Sequence, residues 1–197
     1  MDQGLLSWAR QVKQRQKNAL PVLWLFTDAP TLPDPLPSIA KLPKGLCGVV
    51  FRHDAAPNRL PLGLRIAQLC KARRLALVVA GDARLAARLH AGVHLRGGRW
   101  PGHVRTPGLR TASAHNVPEI MSARRAQAGV IFISPAFATA SHPGAKGLGG
   151  YGWRTLARQA RPQKAYGLGG ISGQRVKSLG PLCYGAASIR ALVGAFS

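Results

Sequence analysis

Short apolar runs recur along the chain, and most stretches between them place apolar residues at helical spacing. Several runs are continuous rather than alternating, which is typical of parallel strands buried on both faces. Because strands that alternate with helices favour a parallel sheet, the pattern indicates an α/β fold. The runs predict eight strands, over residues 22–26, 46–51, 75–80, 91–95, 109–114, 129–134, 164–168 and 182–187.

The intervening segments carry helix start signals. Asp82 is suited to cap a helix, and Asn116 precedes Pro118 and Glu119, which favour a first helical turn. The first 20 residues form an amphipathic helical pattern. Further helices are predicted over residues 37–41, 60–74, 82–90, 117–128, 151–159 and 188–196.

Eight strands with interleaved helices predict a compact (β/α)8 TIM barrel, formed by residues 1–197 as one domain with residues 1–20 as an amino-terminal helical extension. The chain is short for this fold, which usually needs roughly 200 residues or more. Residues 96–108 contain four glycines and two prolines, so we expect the helix after the fourth strand, helix 4 of the barrel, to be trimmed or missing there. The alternative architecture is an open, doubly wound sheet.

The charge balance is strongly positive, with 28 Lys and Arg residues against six Asp and Glu and a net charge of +22. Such a balance favours nucleic acid or a phosphorylated substrate. However, the basic residues are spread along the whole chain, without a zinc-finger, RNA-binding or helix-turn-helix pattern. We therefore expect a phosphorylated small molecule as the main partner, and keep a basic nucleic-acid-associated protein as an alternative.

Cysteine usage and hydropathy bear on the compartment. Cys47, Cys70 and Cys183 are odd in number and lack metal-ligand spacing, which favours buried, reduced thiols in a cytoplasmic protein. No apolar run approaches the roughly 20 residues that a bilayer-spanning helix needs, so no membrane partner is expected.

Ligands of such a barrel bind at the carboxyl ends of its strands. The segments GLGGIS (167–172) and GAASIRAL (185–192) place small residues between a strand and a helical start, where backbone N–H groups can approach a phosphate. After the sixth strand, Thr139 and Ser141 offer hydroxyl donors and His142 adds a further donor or charge. The alternative for the two hydroxyls is local turn bonding to the backbone.

Seven ordered segments resemble those of thiamine phosphate synthases and their TenI-type tautomerase relatives, from about residue 21 onward. They are LWLFTD (23–28), VFRHD (50–54), AGVHL (91–95), SAH (113–115), SPAFATASHPG (134–144), GLGGIS (167–172) and GAASIRAL (185–192). The resemblance implies a (β/α)8 barrel that joins a hydroxymethylpyrimidine diphosphate to a thiazole phosphate, giving thiamine phosphate and pyrophosphate. It also implies Mg²⁺ and cationic side chains that hold the departing pyrophosphate.

On the diphosphate side, the resemblance is incomplete. Arg52 keeps the family's arginine and would bind diphosphate, whereas Asp54 stands in place of a lysine. Asp82 lies one residue after the family's magnesium-binding aspartate, and Arg99 replaces the second one. The Mg²⁺ site implied by the family therefore lacks its aspartate ligands, and Asp82 is a weak metal candidate.

On the substrate side, more positions match. Ser113 falls on the serine that contacts the pyrimidine, and Thr139 and Ser141 fall on the pair that holds the thiazole. His142 replaces the family's usual lysine, which makes it a catalytic candidate together with Arg52 and Ser113.

The phosphate loops also match. Gly170 falls on the glycine at the thiazole phosphate, next to Gly169, and Ile189 and Arg190 fall on the pair beside it. The sequence thus predicts a thiamine phosphate synthase-like protein with a degraded Mg²⁺–diphosphate site. Alternatives are a non-catalytic phosphate-ligand-binding or regulatory homologue. Tautomerase chemistry is not favoured, because Pro135 stands where we expect those relatives to have histidine. Family members often assemble, so a homo-oligomer is compatible with the sequence.

Overall fold

The strands close into a barrel in the order in which they occur along the chain. The computed structural model describes residues 1–16, 19–54, 56–100, 108–139 and 146–193. Every neighbouring pair of strands is parallel, and the first strand pairs with the last. The predicted (β/α)8 barrel is confirmed, and the open sheet is excluded. The strands are β1 (Leu23–Phe26), β2 (Cys47–Phe51), β3 (Ala76–Ala80), β4 (Gly92–Leu95), β5 (Arg110–Ala114), β6 (Val130–Ile133), β7 (Lys164–Leu168) and β8 (Gly185–Ser188).

Helices surround the barrel at each position where the sequence predicts one. Asn116 caps its helix as expected, since its Oδ1 accepts a hydrogen bond from the Glu119 backbone N–H at 2.9 Å. None of the helices within the described ranges is long and apolar enough to cross a bilayer. The helices are α1 (Gln3–Gln16), α2 (Leu36–Ala40), α3 (Arg59–Arg73), α4 (Ala83–Arg88), α5 (Val117–Arg125), α6 (Gly149–Gln159), a 3₁₀ helix (Val176–Leu179) and α7 (Arg190–Val193).

The last strand begins later than predicted, at Gly185 rather than at residue 182. The apolar residues before it close the turn that follows the 3₁₀ helix, where Cys183 N–H donates to the Gly180 carbonyl at 3.1 Å. Gly185 is required at this point, because a Cβ there would lie 2.2 Å from the ring of Tyr166. Cys183 is therefore buried in a turn and not in a strand.

The connection after β4 begins with a tight turn. Gly97 and Gly98 have φ values of +54° and +72°, and Arg99 N–H donates to the Arg96 carbonyl at 3.0 Å. A Cβ on Gly98 would lie 2.5 Å from the Ala123 nitrogen, so glycine lets this turn pack against α5. Residues 96–100 and 108–109 contain no helix, in agreement with the prediction, whereas residues 101–107 lie outside the described ranges.

Aromatic rings fill the barrel interior. Phe132 makes edge-on contacts with Trp24, Phe26 and Tyr166, at centroid distances of 5.9, 5.0 and 5.7 Å. Gly48 makes room for this packing, since a Cβ there would lie 2.7 Å from the Trp24 ring. The described part of the interior is therefore a packed core, as is usual for this fold, whose ligands bind at the carboxyl ends of the strands.

The amino-terminal helix α1 packs against the barrel through Leu5, Trp8 and Val12, which are buried. Asp2 anchors its first turn, because the two carboxylate oxygens accept hydrogen bonds from the backbone N–H groups of Leu5 (2.9 Å) and Gly173 (2.8 Å). The bond from Gly173 contributes most to lowering the pKa of Asp2 below its ordinary value.

All three cysteine thiols are unpaired and buried, as the sequence predicts. Burial raises the pKa of Cys47, Cys70 and Cys183 to about 12. The thiolate form that reacts or binds metals is therefore strongly disfavoured at neutral pH.

Candidate functional site

The floor of the barrel mouth, defined here as the carboxyl ends of the strands, carries a buried histidine between two hydroxyl groups. His94 on β4 has Nδ1 2.8 Å from Thr111 Oγ1 and Nε2 2.9 Å from Ser113 Oγ, both on β5. Burial, and then the positive charges of Arg52 and Arg96, lower the pKa of His94 to about 3. The neutral ring has one donor and one acceptor, so one hydroxyl donates to it and the other accepts from it. His94 thereby fixes the orientation of Ser113, the predicted pyrimidine contact.

The ends of β1 and β2 are joined by an ion pair. Arg52 Nη2 donates to Asp28 Oδ1 at 2.9 Å, and Thr31 Oγ1 donates to Asp28 Oδ2 at 2.7 Å. Burial opposes ionisation of Asp28, but these two hydrogen bonds outweigh it and hold the pKa of its carboxyl below the ordinary value. Arg52, the predicted diphosphate ligand, therefore already has an anionic partner within the protein.

A buried histidine supports the position of Arg52. His53 Nε2 lies 3.0 Å from the Leu32 carbonyl, which can only accept, so Nε2 carries the proton in the neutral ring. Nδ1 then accepts from Thr27 Oγ1 at 2.9 Å, and the same hydroxyl oxygen accepts from the Arg52 backbone N–H at 2.9 Å. His53 thus orders the strand end, and both of its ring nitrogens already have partners within the protein.

Two further carboxylates lie within an arginine network. Arg59 Nη2 contacts Asp54 Oδ1 at 3.1 Å, and Arg59 Nη1 contacts Asp82 Oδ2 at 3.2 Å. The other oxygen of Asp54 is paired with Arg96 Nη2. Arg96 reaches this point by crossing the end of β3 over Gly81, where a Cβ would lie 3.2 Å from its Nε. We call the ends of β1–β4 the charged half of the mouth. It carries three aspartates and three arginines that form these ion pairs: Asp28, Asp54, Asp82, Arg52, Arg59 and Arg96.

Asp82, the metal candidate, has another role in this arrangement. Its Oδ1 accepts from the Leu85 N–H at 2.9 Å and caps α4, as the sequence predicts, while Oδ2 faces Arg59. Asp54 likewise has an arginine on each oxygen. The described ranges contain no group of three His, Cys, Asp or Glu side chains able to hold a metal ion. The donor set therefore does not fit Mg²⁺, because guanidinium groups or a backbone N–H already bond to the carboxylate oxygens that would bind it.

The opposite side of the mouth is built from backbone and small residues. Gly169 and Gly170 have φ values of +90° and +63°, and a Cβ on Gly170 would lie 2.5 Å from the Ala138 carbonyl oxygen. Phe137 N–H donates to the Gly169 carbonyl at 3.0 Å, so the loops after β6 and β7 lie side by side. We call this region, the ends of β6–β8, the glycine half.

The remaining predicted residues distribute as follows. Thr139 is half-buried at the end of the described segment after β6. Ile189 is half-buried and packs against the barrel interior, and Arg190 is exposed as the first residue of α7. Ser141 and His142 lie outside the described residues.

Sequence reasoning missed Arg59. A signal was available, because a cation at the first position of a helix opposes the helix dipole and needs another source of stabilisation. Arg59 finds it in Asp54, Asp82 and the Ala80 carbonyl, to which Nη2 donates at 2.9 Å.

The chain is thus a closed (β/α)8 barrel with a glycine-lined loop after β7. The sequence profile of the family described as thiamine monophosphate synthase matches residues 40–192. The chain belongs to this family. No curated protein sequence matches it.

Solved structures agree on the fold. Thiamine phosphate pyrophosphorylase from Pyrococcus furiosus superposes with a TM-score of 0.73 at 23% identity, over 91% of this chain and 90% of that one. Thiamine phosphate pyrophosphorylase from Bacteroides thetaiotaomicron gives a TM-score of 0.53 at 16% identity, over 85% and 81% of the two chains. A structure described as native KDPGal gives 0.56 at 12% identity, over 87% and 83%. At these identities the likeness concerns the fold alone.

Proposed function

We propose that this protein joins a hydroxymethylpyrimidine diphosphate to a thiazole phosphate, forming thiamine phosphate and releasing pyrophosphate. The observation that carries the proposal is the family match across residues 40–192, which include β2 to β8 and hence most of the mouth. In this reaction the C–O bond to the diphosphate breaks, and the thiazole nitrogen captures the resulting carbocation. Pyrophosphate leaves with the electron pair of the broken bond.

The two halves of the mouth would divide the substrates between them. Gly169 and Gly170 would present backbone N–H groups to the thiazole phosphate, together with Ile189 and Arg190. Ser113, oriented by His94, would contact the pyrimidine. Thr139, Ser141 and His142 complete the proposed substrate contacts.

The diphosphate would be neutralised by arginine. Arg52 directly follows β2 and Arg96 directly follows β4, so both lie at the carboxyl ends of the strands. Their side chains are 38% and 56% exposed, so their ion pairs with Asp28 and Asp54 are accessible to exchange. A bound Mg²⁺ would stabilise the leaving pyrophosphate in the family's reaction, but the aspartates here do not fit that ion and no step is assigned to it.

A second candidate is a protein that binds the phosphorylated thiazole without turnover. The pairing of Asp28, Asp54 and Asp82 with arginines favours it, because the diphosphate must compete with carboxylates of the protein. In both cases the glycine half binds the same ligand, and only turnover separates the two functions.

The test combines turnover and binding on the purified full chain. Both substrates are incubated with the protein, with Mg²⁺ in one arm and EDTA in the other, and thiamine phosphate is separated by chromatography. We expect product with wild type and at least about tenfold less with Arg52→Ala, which removes a charge-assisted contact to diphosphate. Absence of product together with calorimetric binding of thiazole phosphate would favour the second candidate. Absence of both would refute the proposal.

A further inference from the structure

The carboxylates are confined to the first part of the chain. The last Asp or Glu is Glu119, and residues 120–197 contain ten Lys and Arg residues and no acidic side chain. The four ion pairs formed by the described residues all lie in the charged half of the mouth. The cations of the last part of the chain are therefore not neutralised by carboxylates of their own segment.

Several of these cations lie on α5, on α6 and on the 3₁₀ helix or at its start, three elements of which α6 contacts the other two. Arg124 on α5 donates to the Gln159 carbonyl at the end of α6, at 3.3 Å. Arg154 on α6 donates to the Ser178 carbonyl in the 3₁₀ helix, at 2.6 Å. These bonds tie the three helices together through neutral acceptors, so the guanidinium charges remain uncompensated. We call the surface formed by Arg124, Tyr151, Arg154, Arg158, Arg175 and Lys177 the cationic face.

An aromatic ring stands among these charges. Tyr151 is 79% exposed, the highest value among the large apolar side chains exposed within the described ranges. Positions 151, 154 and 158 follow the spacing i, i+3 and i+7, which places Tyr151, Arg154 and Arg158 on one side of α6. The exposed phenol ring thus lies on the same side of α6 as two arginine side chains and is accessible to a planar partner.

We propose that the cationic face binds single-stranded nucleic acid. Its arginines and lysine would contact successive phosphates, and Tyr151 would stack on an unpaired base. A second copy of this chain does not fit, because two such faces would repel each other. A lipid bilayer fits less well, because the charges surround a single aromatic ring rather than an apolar stripe that could insert. Basic residues are spread along the whole sequence, and the packing of α5, α6 and the 3₁₀ helix brings part of them onto neighbouring elements.

The experiment measures fluorescence anisotropy of a labelled 20-nucleotide oligo(dT) and of an oligo(U) of the same length, at several salt concentrations. The test variant is Arg158→Ala/Arg175→Ala/Lys177→Ala. The matched control is Arg84→Ala/Arg88→Ala/Lys71→Ala, which removes the same charges from the exposed surfaces of α3 and α4, across the barrel. Wild type should bind more weakly as salt rises, with log K linear in log salt.

The face variant should weaken binding by about 30-fold at low salt and make the salt dependence shallower by about two ions, because single strands release roughly 0.7 ion per phosphate contact. The control triple variant should lose less than about threefold. Tyr151→Ala should weaken binding by about tenfold without changing the salt slope, and Tyr151→Phe should bind as wild type does, since stacking needs only the ring.

Three results would overturn the proposal. Equal losses in the two triple variants would mean that net charge and not this face determines binding. Absence of oligonucleotide binding at low salt would refute it directly. Binding to phosphatidylglycerol vesicles that the face variant alone abolishes, without oligonucleotide binding, would assign the face to a membrane instead.

Discussion

The two halves of the barrel mouth differ in whether the protein supplies counter-ions for its own charges. In the charged half, three aspartates neutralise three arginines, so the protein supplies both the cations and their counter-ions. In the glycine half, the sequence offers no carboxylate and the chain approaches through Gly169 and Gly170. A phosphate meets no internal competitor there, whereas a diphosphate must displace one on the other side. If the proposed function holds, binding of the thiazole phosphate and chemistry on the diphosphate can therefore be separated by mutation.

The largest expected effect comes from adding a methyl group to the glycine half. Gly170→Ala imposes a left-handed φ of +63° on an L-residue and places Cβ 2.5 Å from the Ala138 carbonyl oxygen. Strain and overlap together should lower the free energy of unfolding by about 3 kcal/mol. Binding of thiazole phosphate should be lost with it. Urea unfolding and calorimetry measure the two quantities.

Gly45→Ala is the matched control. Gly45 has a φ of +70°, but no atom lies within 4 Å of the added Cβ. This variant should lose only about 1 kcal/mol from backbone strain and keep its affinity for thiazole phosphate. Equal losses in the two alanine variants would show that backbone strain, rather than contact with the loop after β6, makes Gly170 necessary.

The second effect concerns His94 on β4, whose ring is hydrogen-bonded to two hydroxyl groups of β5 at the floor of the mouth. Its pKa of about 3 in the folded protein lies below the ordinary histidine value of 6.5, because burial disfavours the charged ring. Between these values the unfolded chain binds more protons, so stability rises with pH and is lost on acidification. At pH 5 the loss relative to pH 7.5 should be about 2 kcal/mol from this residue alone.

Denaturant unfolding from pH 5 to 7.5 measures this dependence. His94→Phe should flatten the pH dependence, although its stability at pH 7.5 also falls because Thr111 and Ser113 lose their partner. An unchanged slope in His94→Phe would show that the ring is not the residue that titrates on unfolding.

A third, smaller effect tests the internal competition in the charged half. Asp54→Asn removes the charge that Arg59 and Arg96 share. A unit charge near the surface is worth about 1 kcal/mol at contact distance in water, so affinity for pyrophosphate in EDTA should rise about fivefold. Asp34→Asn makes the same charge change at an exposed carboxylate and should alter affinity less than twofold. Calorimetry measures the affinity for pyrophosphate. Unchanged affinity in Asp54→Asn would mean that Arg59 and Arg96 do not contact the diphosphate.

How much of this structure the sequence predicts depends on how far apart along the chain the interacting residues lie. Strands and helix caps such as Asp82 and Asn116 are local, and apolar runs and capping residues predict them. The predicted start of β8 at residue 182 is wrong because the apolar residues Leu182 and Cys183 belong to a turn. In this turn the Cys183 N–H donates to the Gly180 carbonyl. Hydropathy does not distinguish a buried turn from a buried strand.

The charged half shows the other limit. Arg96 and Asp54 are 42 positions apart, and Arg59 and Asp82 are 23 apart. Long side chains link the ends of different strands, so these contacts depend on strand order and on which cation reaches which carboxylate. The family resemblance located Arg52 and Asp54 at the diphosphate site but could not show that carboxylates of the protein neutralise the site's arginines.

The smallest expected effect separates a helix cap from a metal ligand at Asp82. Asp82→Asn keeps a good capping side chain and removes the pair with Arg59, so the free energy of unfolding should change by less than about 0.5 kcal/mol. Asp82→Ala removes the cap as well and should cost about 1 kcal/mol. Mg²⁺ should leave the melting temperature of wild type and of Asp82→Asn equally unchanged, because both oxygens of Asp82 are already engaged. If Mg²⁺ raises the melting temperature of wild type alone, Asp82 binds the ion after all and the charged half can rearrange to accept it.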